Sequence, residues 1–172
     1  MNTPEADNPA TPAPLPVTDI TAETFAPFGT LIPPAEDGVP FGPQDAQLHL
    51  SEGIPRFYIM RIPGRGNVID RITRHRKVTQ VLAAAGTNPW LIAVAPPDDP
   101  DSPDATPARD ALRAFRIPPG VAIMLFSGTW HAGPLFEKDT EESFFNLELA
   151  DTNITDHHTE TLSPPFELIP PP

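Results

Sequence analysis

Short apolar segments, each bounded by glycine, proline or asparagine, recur along most of this chain. They are rich in β-branched and aromatic side chains, which is typical of β-strands. The clearest segments are 56–62, 78–82, 90–95, 112–117, 121–125 and 143–149. A single early helical turn is predicted over 22–25, with Thr18 or Asp19 as its N-cap. Many short strands joined by close turns predict an all-β sandwich or barrel, and no internal repeat suggests a propeller.

The 26 prolines indicate where the folded part begins and ends. Five of them precede residue 17 and three end the chain. Proline-rich polar segments bury too little apolar surface to offset their ordering entropy. We therefore expect a flexible Pro-rich tail over 1–17, one domain over 18–160 and an extended tail over 161–172. A further proline cluster over 96–103, with three aspartates, is predicted to be an exposed loop within the domain.

Composition excludes several classes of function. A chain of 172 residues without cysteine has room for a real core, but it has no disulfide, thiolate nucleophile, zinc finger or iron–sulfur cluster. The net charge of -12 argues against binding to nucleic acid, which needs basic residues to neutralise phosphates. Neither a membrane-spanning segment nor a signal peptide is recognisable. We expect a soluble, cytoplasmic protein that does not associate with membranes.

The segment 113–136 places one histidine at the end of a predicted strand. A Pro-Pro-Gly turn at 118–120 precedes an apolar strand, Ser127-Gly128 ends that strand, and Trp130-His131 follows. A histidine at this place either lines a pocket, or caps the strand or forms a hydrogen bond within the core.

Basic residues are concentrated in one part of this acidic chain. Seven of the eleven lie in a window that contains a single acid, Asp70: Arg56, Arg61, Arg65, Arg71, Arg74, Arg76 and Lys77. Most of them are expected to form a solvated face. Arg61 differs because it lies inside an apolar strand, where it should face either a buried carboxylate or the carboxylate of a ligand.

A second histidine lies at the end of that basic window. Strand alternation would put Thr73, His75 and Lys77 on one face, unless an intervening turn changes the phase.

The two histidine segments together resemble the two-part motif of the cupins. His75, Gln80 and Gly86 match the first part, and Gly120 with Gly128-Thr129-Trp130-His131 matches the second. The resemblance implies a jelly-roll barrel, the double-stranded β-helix, in which histidines and a glutamate hold a divalent metal. Thr73 stands in place of the first histidine and Gln80 in place of the glutamate. The metal ligands that the resemblance leaves are His75, Gln80 and His131.

Within the cupins, the chain is most similar to the ureidoglycolate lyase (ureidoglycolate hydrolase) family, especially its plant-type branch. The matching blocks are FAPFG from Phe25, RFYIMR from Arg56, ITRHRKVTQ from Ile72, GTWHAGPLF from Gly128 and FFNLELADTNITDHH from Phe144. The family implies a carbon–nitrogen lyase of allantoin degradation in purine catabolism, and a homodimer. Bacterial members usually carry an aspartate at the position of Glu148 and an acid at the position of Thr73. These two departures leave the exact substrate open, as either ureidoglycolate or a related small ureido acid.

Cleavage of ureidoglycolate into glyoxylate and urea needs a cation for the carboxylate and groups that move protons. Arg61 and Lys77 are the candidate cations, and His131 and His75 the candidates for proton transfer. Glu148 either orients or transfers a proton, or pairs with Arg61. Gln80 and Asn146 either bind the ureido group or satisfy the barrel backbone, and Trp130 is assigned to substrate binding.

The remaining histidines are less informative. His157 and His158 are assigned no role, because adjacent side chains on an extended chain diverge. His49 is a weaker candidate for the mouth of the barrel. The rival functions are a non-catalytic cupin that binds a small carboxylate and a metal-dependent cupin oxygenase or isomerase.

Overall fold

The computed structural model describes residues 10–172, which fold almost entirely into β-strands. The strands and helices are β1 (Ala13–Asp19), α1 (Ala22–Phe25), β2 (Gly29–Ile32), β3 (Pro55–Pro63), β4 (Val68–Arg74), β5 (Gln80–Ala84), β6 (Trp90–Ala95), a 3-10 turn (Arg109–Ala111), β7 (Arg113–Ile117), β8 (Ala122–Leu125), β9 (Trp130–Leu135), β10 (Glu141–Leu149), α2 (Thr152–Thr155) and β11 (His158–Ile169). The prediction of an all-β fold is confirmed.

The strands form two sheets. Six of them close into a barrel in the order β1-β11-β4-β9-β6-β7, and the other five form a sheet in the order β2-β8-β5-β10-β3. Strand β1 runs parallel to both of its neighbours, whereas the other pairs are antiparallel. This arrangement is consistent with the cupin jelly roll that the motifs imply.

The predicted early helical turn forms over Ala22–Phe25, but its cap differs from the expectation. Thr21 is the N-cap, and its hydroxyl accepts a hydrogen bond from the backbone N–H of Thr24 at 3.1 Å. Thr18 and Asp19 instead lie in β1 and pair with β7. Neither residue is the N-cap, because both belong to β1, which ends at Asp19 before the helical turn begins.

Both predicted tails take part in the barrel, which corrects the expectation for 13–17 and 161–169. In β1, Leu15 and Val17 are buried, whereas Pro14 and Pro16 face outward. In β11, Leu162, Phe166 and Leu168 are buried in the same core. The number of prolines does not reveal the alternate apolar residues, which supply the buried surface. Over 13–16, β1 pairs with β11 alone, so no strand on the other side of β1 requires a backbone N–H from the prolines. Residues 1–9 of the predicted N-terminal tail lie outside the described part of the chain.

Two apolar cores stabilise the molecule. One is built around Trp130, Ile72 and Leu168 of the barrel, and the other around Phe115, Trp90 and Phe144, where the barrel packs on the second sheet. Strands β4 and β9 of the barrel and β3, β5 and β10 of the sheet also supply the walls of a cavity. Among residues 10–172, no helix has both the length and the apolar composition needed to cross a bilayer.

Candidate active site

A cavity of about 420 Å³ opens between the barrel and the second sheet. Its apolar lining includes Leu82 and Leu135, and its polar side chains come from both sheets and from the segment around α2. They include Tyr58, Thr73, His75, Gln80, His131, Asn146, Glu148, Asn153 and His157, and the lining also contains Arg65, Asp70, Arg71 and Thr159. Five side chains that the sequence singled out, His75, Gln80, His131, Asn146 and Glu148, are thus brought to one place.

Two histidines lie next to each other in the cavity lining, with their ring centroids 5.1 Å apart. The Nδ1 of His75 donates to the backbone carbonyl of Asp156 at 2.7 Å, and the Nδ1 of His131 donates to that of Thr129 at 3.3 Å. A carbonyl only accepts, so the proton of each neutral ring is on Nδ1. The Nε2 of each ring is therefore left with a free lone pair.

Burial keeps both rings neutral. Desolvation lowers the pKa of His75, although the nearby Asp156 opposes this effect. Desolvation, and next the neighbouring His75, lower the pKa of His131 to about 3. Each histidine is consequently a proton acceptor at neutral pH, and His75 is the more basic of the two because carboxylates lie nearer to it.

A buried polar network covers the sheet side of the cavity, with Glu148 at its centre. Glu148, 1% exposed, accepts hydrogen bonds from Gln80 Nε2 at 3.2 Å, from the Tyr58 hydroxyl at 3.3 Å and from Asn153 Nδ2 at 3.4 Å. Gln80 Nε2 also donates to Asn146 Oδ1 at 3.1 Å. Burial raises the pKa of Tyr58, so its hydroxyl stays protonated. Asn146 and Glu148 both accept from the Gln80 amide nitrogen, which fixes the orientation of the amide. In this orientation the buried Oε1 of Gln80 has no hydrogen-bond partner among the described residues.

The cavity lacks two ligands of the cupin metal set, since Thr73 and Gln80 stand in place of a histidine and the glutamate. Its remaining candidate donors are the imidazoles of His75, His131 and His157 and the Oε1 of Gln80, whereas Glu148 accepts hydrogen bonds from the amides and the tyrosine. Within residues 10–172, no three His, Cys, Asp or Glu side chains are arranged to hold an ion. A neutral glutamine is a weaker ligand than the carboxylate that it replaces, so this donor set fits a divalent metal less well than the full cupin set does.

The chain can now be compared with known proteins. The family model described as Ureidoglycolate lyase matches residues 42–166, well over half of the chain, and this span includes every cavity side chain named above. The chain belongs to the ureidoglycolate lyase family. A comparison with curated proteins gives no match. Family membership supports a lyase acting on ureidoglycolate and does not favour the carboxylate-binding or oxygenase alternatives.

Three expected binding residues of this lyase lie outside the cavity. Arg61 is an exposed side chain that approaches Glu141 at 3.4 Å, because its position in β3 points away from the cavity. Lys77 is exposed as well, since β4 ends at Arg74 and the chain bends before Lys77. Trp130 is fully buried in the barrel core, on the opposite face of β9 from His131. The structure therefore does not bring these three side chains to the cavity with the other predicted site residues.

The cations that do line the cavity are Arg65 and Arg71, which the sequence placed only among the general basic residues. Both are exposed. Arg71 lies 3.5 Å from Asp70, the one acid of the basic window. No local pattern distinguishes these two arginines from their neighbours, because their access to the cavity depends on the course of the β3–β4 connection.

Further lining residues were also missed. Tyr58 carries an incomplete signal, since strand alternation groups it with Met60 and apart from Phe57 and Ile59 but does not show which of the two sets faces the cavity. Asn153 and His157 carry none, because they reach the cavity through the turn that contains α2. The ring of His157 lies 5.6 Å from that of His75.

The other two histidines lie away from the cavity lining. His158 accepts a hydrogen bond from Arg74 at Nδ1 and donates from Nε2 to Glu160 at 2.7 Å. The buried Arg74 also packs over Trp130 and donates to the carbonyls of Asp99 and Ser102. His158 therefore belongs to a structural network that holds the Pro-rich loop. His49 lies at the surface near Glu52.

Proposed function

We propose that this cavity binds ureidoglycolate and cleaves its carbon–nitrogen bond, giving glyoxylate and urea. The observation that carries the proposal is the pair His75 and His131, whose Nδ1 protons are held by backbone carbonyls. Two free Nε2 lone pairs next to a network of amides suit a substrate that must lose a hydroxyl proton while its ureido group is held.

The carboxylate of the substrate is assigned to the mouth of the cavity. Arg65 and Arg71 are the guanidinium groups in the lining, and a guanidinium binds a carboxylate through two parallel hydrogen bonds. The inner part contains the buried Glu148, which repels an anion and so favours the orientation with the carboxylate outward.

The ureido group is assigned to the polar network. Gln80 Oε1 is a buried acceptor without a partner within residues 10–172, and a ureido N–H satisfies it. Asn146 and Glu148 hold the Gln80 amide through its nitrogen, so this acceptor is already oriented before the substrate binds. An oriented acceptor loses less freedom on binding than a mobile one.

Proton transfer is assigned to His75, with His131 as a hydrogen-bond acceptor that orients the reacting group. Nε2 of His75 takes the hydroxyl proton, the oxygen electron pair forms the carbonyl of glyoxylate, and the carbon–nitrogen bond breaks. The same proton passes to the departing nitrogen, which leaves as urea. No net proton is gained or lost, and His75 returns to its neutral form.

We assign the reaction to side chains without a metal, because Thr73 and Gln80 replace two of the cupin ligands and no three His, Cys, Asp or Glu side chains within residues 10–172 are arranged to hold an ion. Dialysis against a chelator followed by an assay tests this point. We expect unchanged turnover and no stoichiometric divalent metal in the purified protein. Loss of activity that added metal restores would contradict a metal-free mechanism.

The central experiment incubates purified protein with racemic ureidoglycolate and follows glyoxylate, urea and ammonia. We expect glyoxylate and urea in equal amounts, no ammonia, and consumption of one enantiomer. A His75→Asn preparation of equal stability is the matched control for spontaneous decay and contaminating enzymes. Release no faster than in that control would overturn the lyase assignment, and ammonia in place of urea would identify hydrolysis of the ureido group instead.

We also propose a homodimer formed through β3. This strand is an edge of the second sheet, and its outward Phe57 and Ile59 are 69% and 58% exposed. Phe57 stacks on the ring of Phe145 in the neighbouring strand, which widens the apolar surface. Long apolar edges of this kind favour pairing with another chain. Light scattering should give the mass of a dimer, and Ile59→Lys should give a monomer; a monomeric unsubstituted protein would contradict this proposal.

A cytoplasmic location and a place in purine catabolism remain predictions from the family. Cell fractionation tests the first, and accumulation of ureidoglycolate in cells that lack the protein tests the second.

A further inference from the structure

Asp156, in the turn between α2 and β11, makes an unusual set of contacts with the segment that carries His75. Its carboxylate accepts hydrogen bonds from two successive backbone N–H groups, with Oδ1 2.8 Å from the nitrogen of Arg76 and Oδ2 2.8 Å from that of Lys77. Its own backbone carbonyl accepts the Nδ1–H of His75 at 2.7 Å. One buried residue therefore holds both the main chain after His75 and the ring of His75.

The contact with the ring decides which nitrogen of His75 faces the substrate. A neutral imidazole side chain in water carries its proton mainly on Nε2, and a carbonyl at Nδ1 reverses that preference. His158 shows the other outcome within the same chain, since Arg74 donates to its Nδ1 and its proton is on Nε2. The protonated nitrogen is thus set by the neighbour of each ring.

The main chain around His75 has further anchors besides Asp156. The carbonyl of His75 accepts a hydrogen bond from Gly128 N at 2.6 Å, and Gly128 has a φ of +86°, which suits glycine. The side chain of Arg76 donates to the carbonyls of Pro100 and Asp101, both at 2.5 Å. These contacts anchor the main chain and the Arg76 side chain, whereas the contact with the Asp156 carbonyl orients the ring of His75.

We propose that Asp156 is a positioning residue that fixes the tautomer and orientation of His75, so that Nε2 presents its lone pair to the cavity. The carboxylate does so by clamping the backbone of 76–77, which keeps the Asp156 carbonyl in line with Nδ1. This inference deepens the function proposed above and rests on the assignment of His75 as the proton acceptor.

Nitrogen NMR of the histidine rings tests the tautomer directly and without any substrate. In the unsubstituted protein at neutral pH, we expect His75 to show a protonated Nδ1 and an unprotonated Nε2, with His158 showing the reverse. Asp156→Ala should shift His75 toward the tautomer protonated on Nε2. Asp156→Asn should do so in part, because its amide keeps one acceptor but turns a donor toward a backbone N–H.

Kinetics of the same variants test the consequence. Asp156→Ala should lower kcat by about 10–100-fold with little change in KM, since only proton transfer is affected. Asp151→Asn is the matched control, because Asp151 accepts a hydrogen bond from Thr155 in the same turn and has no contact with His75. It should keep both the His75 tautomer and kcat.

Two results would overturn the positioning role. One is a His75 protonated on Nε2 in the unsubstituted protein, and the other is a folded Asp156→Ala variant whose His75 keeps its tautomer while kcat falls. If the tautomer responds as expected but no preparation cleaves ureidoglycolate, the proposed function fails and the role of Asp156 stands.

Discussion

The direction of each side chain in a strand decides which residues reach the cavity. In β3, Tyr58 and Met60 line the cavity, whereas Phe57, Ile59 and Arg61 point outward. All five residues lie in one mostly apolar run, so the sequence does not show which alternate set is buried. For this reason the sequence did not show that Arg61 points away from the cavity.

Substitution of arginines tests where the carboxylate binds. Arg65→Met and Arg71→Met should each raise KM by about 10-fold or more, because a charge-assisted hydrogen bond contributes about 1.5–3 kcal/mol. Arg61→Met is the matched control and should leave KM unchanged, since Arg61 lies outside the cavity and forms an exposed ion pair with Glu141. Steady-state kinetics with ureidoglycolate measures all three, and a raised KM in Arg61→Met alone would contradict the placement.

The two histidines should differ in their effect on turnover. His75→Asn removes the proposed proton acceptor and should lower kcat by about 10²–10⁴-fold. His131→Asn removes a hydrogen-bond acceptor and should cost about 10-fold, the effect of one such bond. Circular dichroism and thermal melting establish that both variants fold. Equal losses, or a larger loss in His131→Asn, would exchange the two roles.

At the scale of elements, the ends of the chain show what local sequence conceals. Strand β11 is predicted as a tail from its prolines, yet it pairs with both β4 and β1. Its inward residues are spaced by two, as in Phe166 and Leu168, but polar residues and prolines interrupt the pattern before them. A partner strand more than eighty residues away decides the outcome, and no local window contains it.

Leu168 measures the contribution of β11 to stability. It is fully buried in the barrel core, so Leu168→Ala should lower the free energy of unfolding by about 2–5 kcal/mol. The neighbouring Ile169 is 43% exposed, and Ile169→Ala should cost about 0.5 kcal/mol or less. Urea titration gives both values. A change in the free energy of unfolding for Leu168→Ala as small as that for Ile169→Ala would contradict the burial of β11 in the barrel core.

For the whole molecule, the buried histidines couple stability to pH. The pKa of His131 is about 3 in the folded protein and 6.5 as the ordinary value, so between these values the unfolded chain binds a proton that the folded chain does not. The free energy of unfolding is therefore greatest above pH 6.5 and falls toward pH 3, with a slope approaching 1.4 kcal/mol per pH unit from this group, on the order expected for one proton. The lowered pKa of His75 acts in the same direction.

This dependence is measured by urea titration at several pH values between 7.5 and 4.5. The difference between the unsubstituted protein and His131→Asn isolates the histidine from the carboxylates that also titrate at acid pH. We expect the variant to lose stability more slowly as the pH falls. Identical slopes in the two proteins would show that the pKa of His131 is the same in the folded and unfolded states.

The sequence by itself determined the all-β class, the positions of most central strands and the histidines of the site. Those features are local, because turn residues bound each strand, and long blocks such as GTWHAGPLF identify the family. Tertiary structure alone decided which residues surround the substrate cavity. Arg65, Asn153 and Asp156 lie in connections whose course is set by packing, and the tautomer of His75 depends on a carbonyl 81 residues further along the chain. Contacts between distant segments become visible only once both sheets have formed.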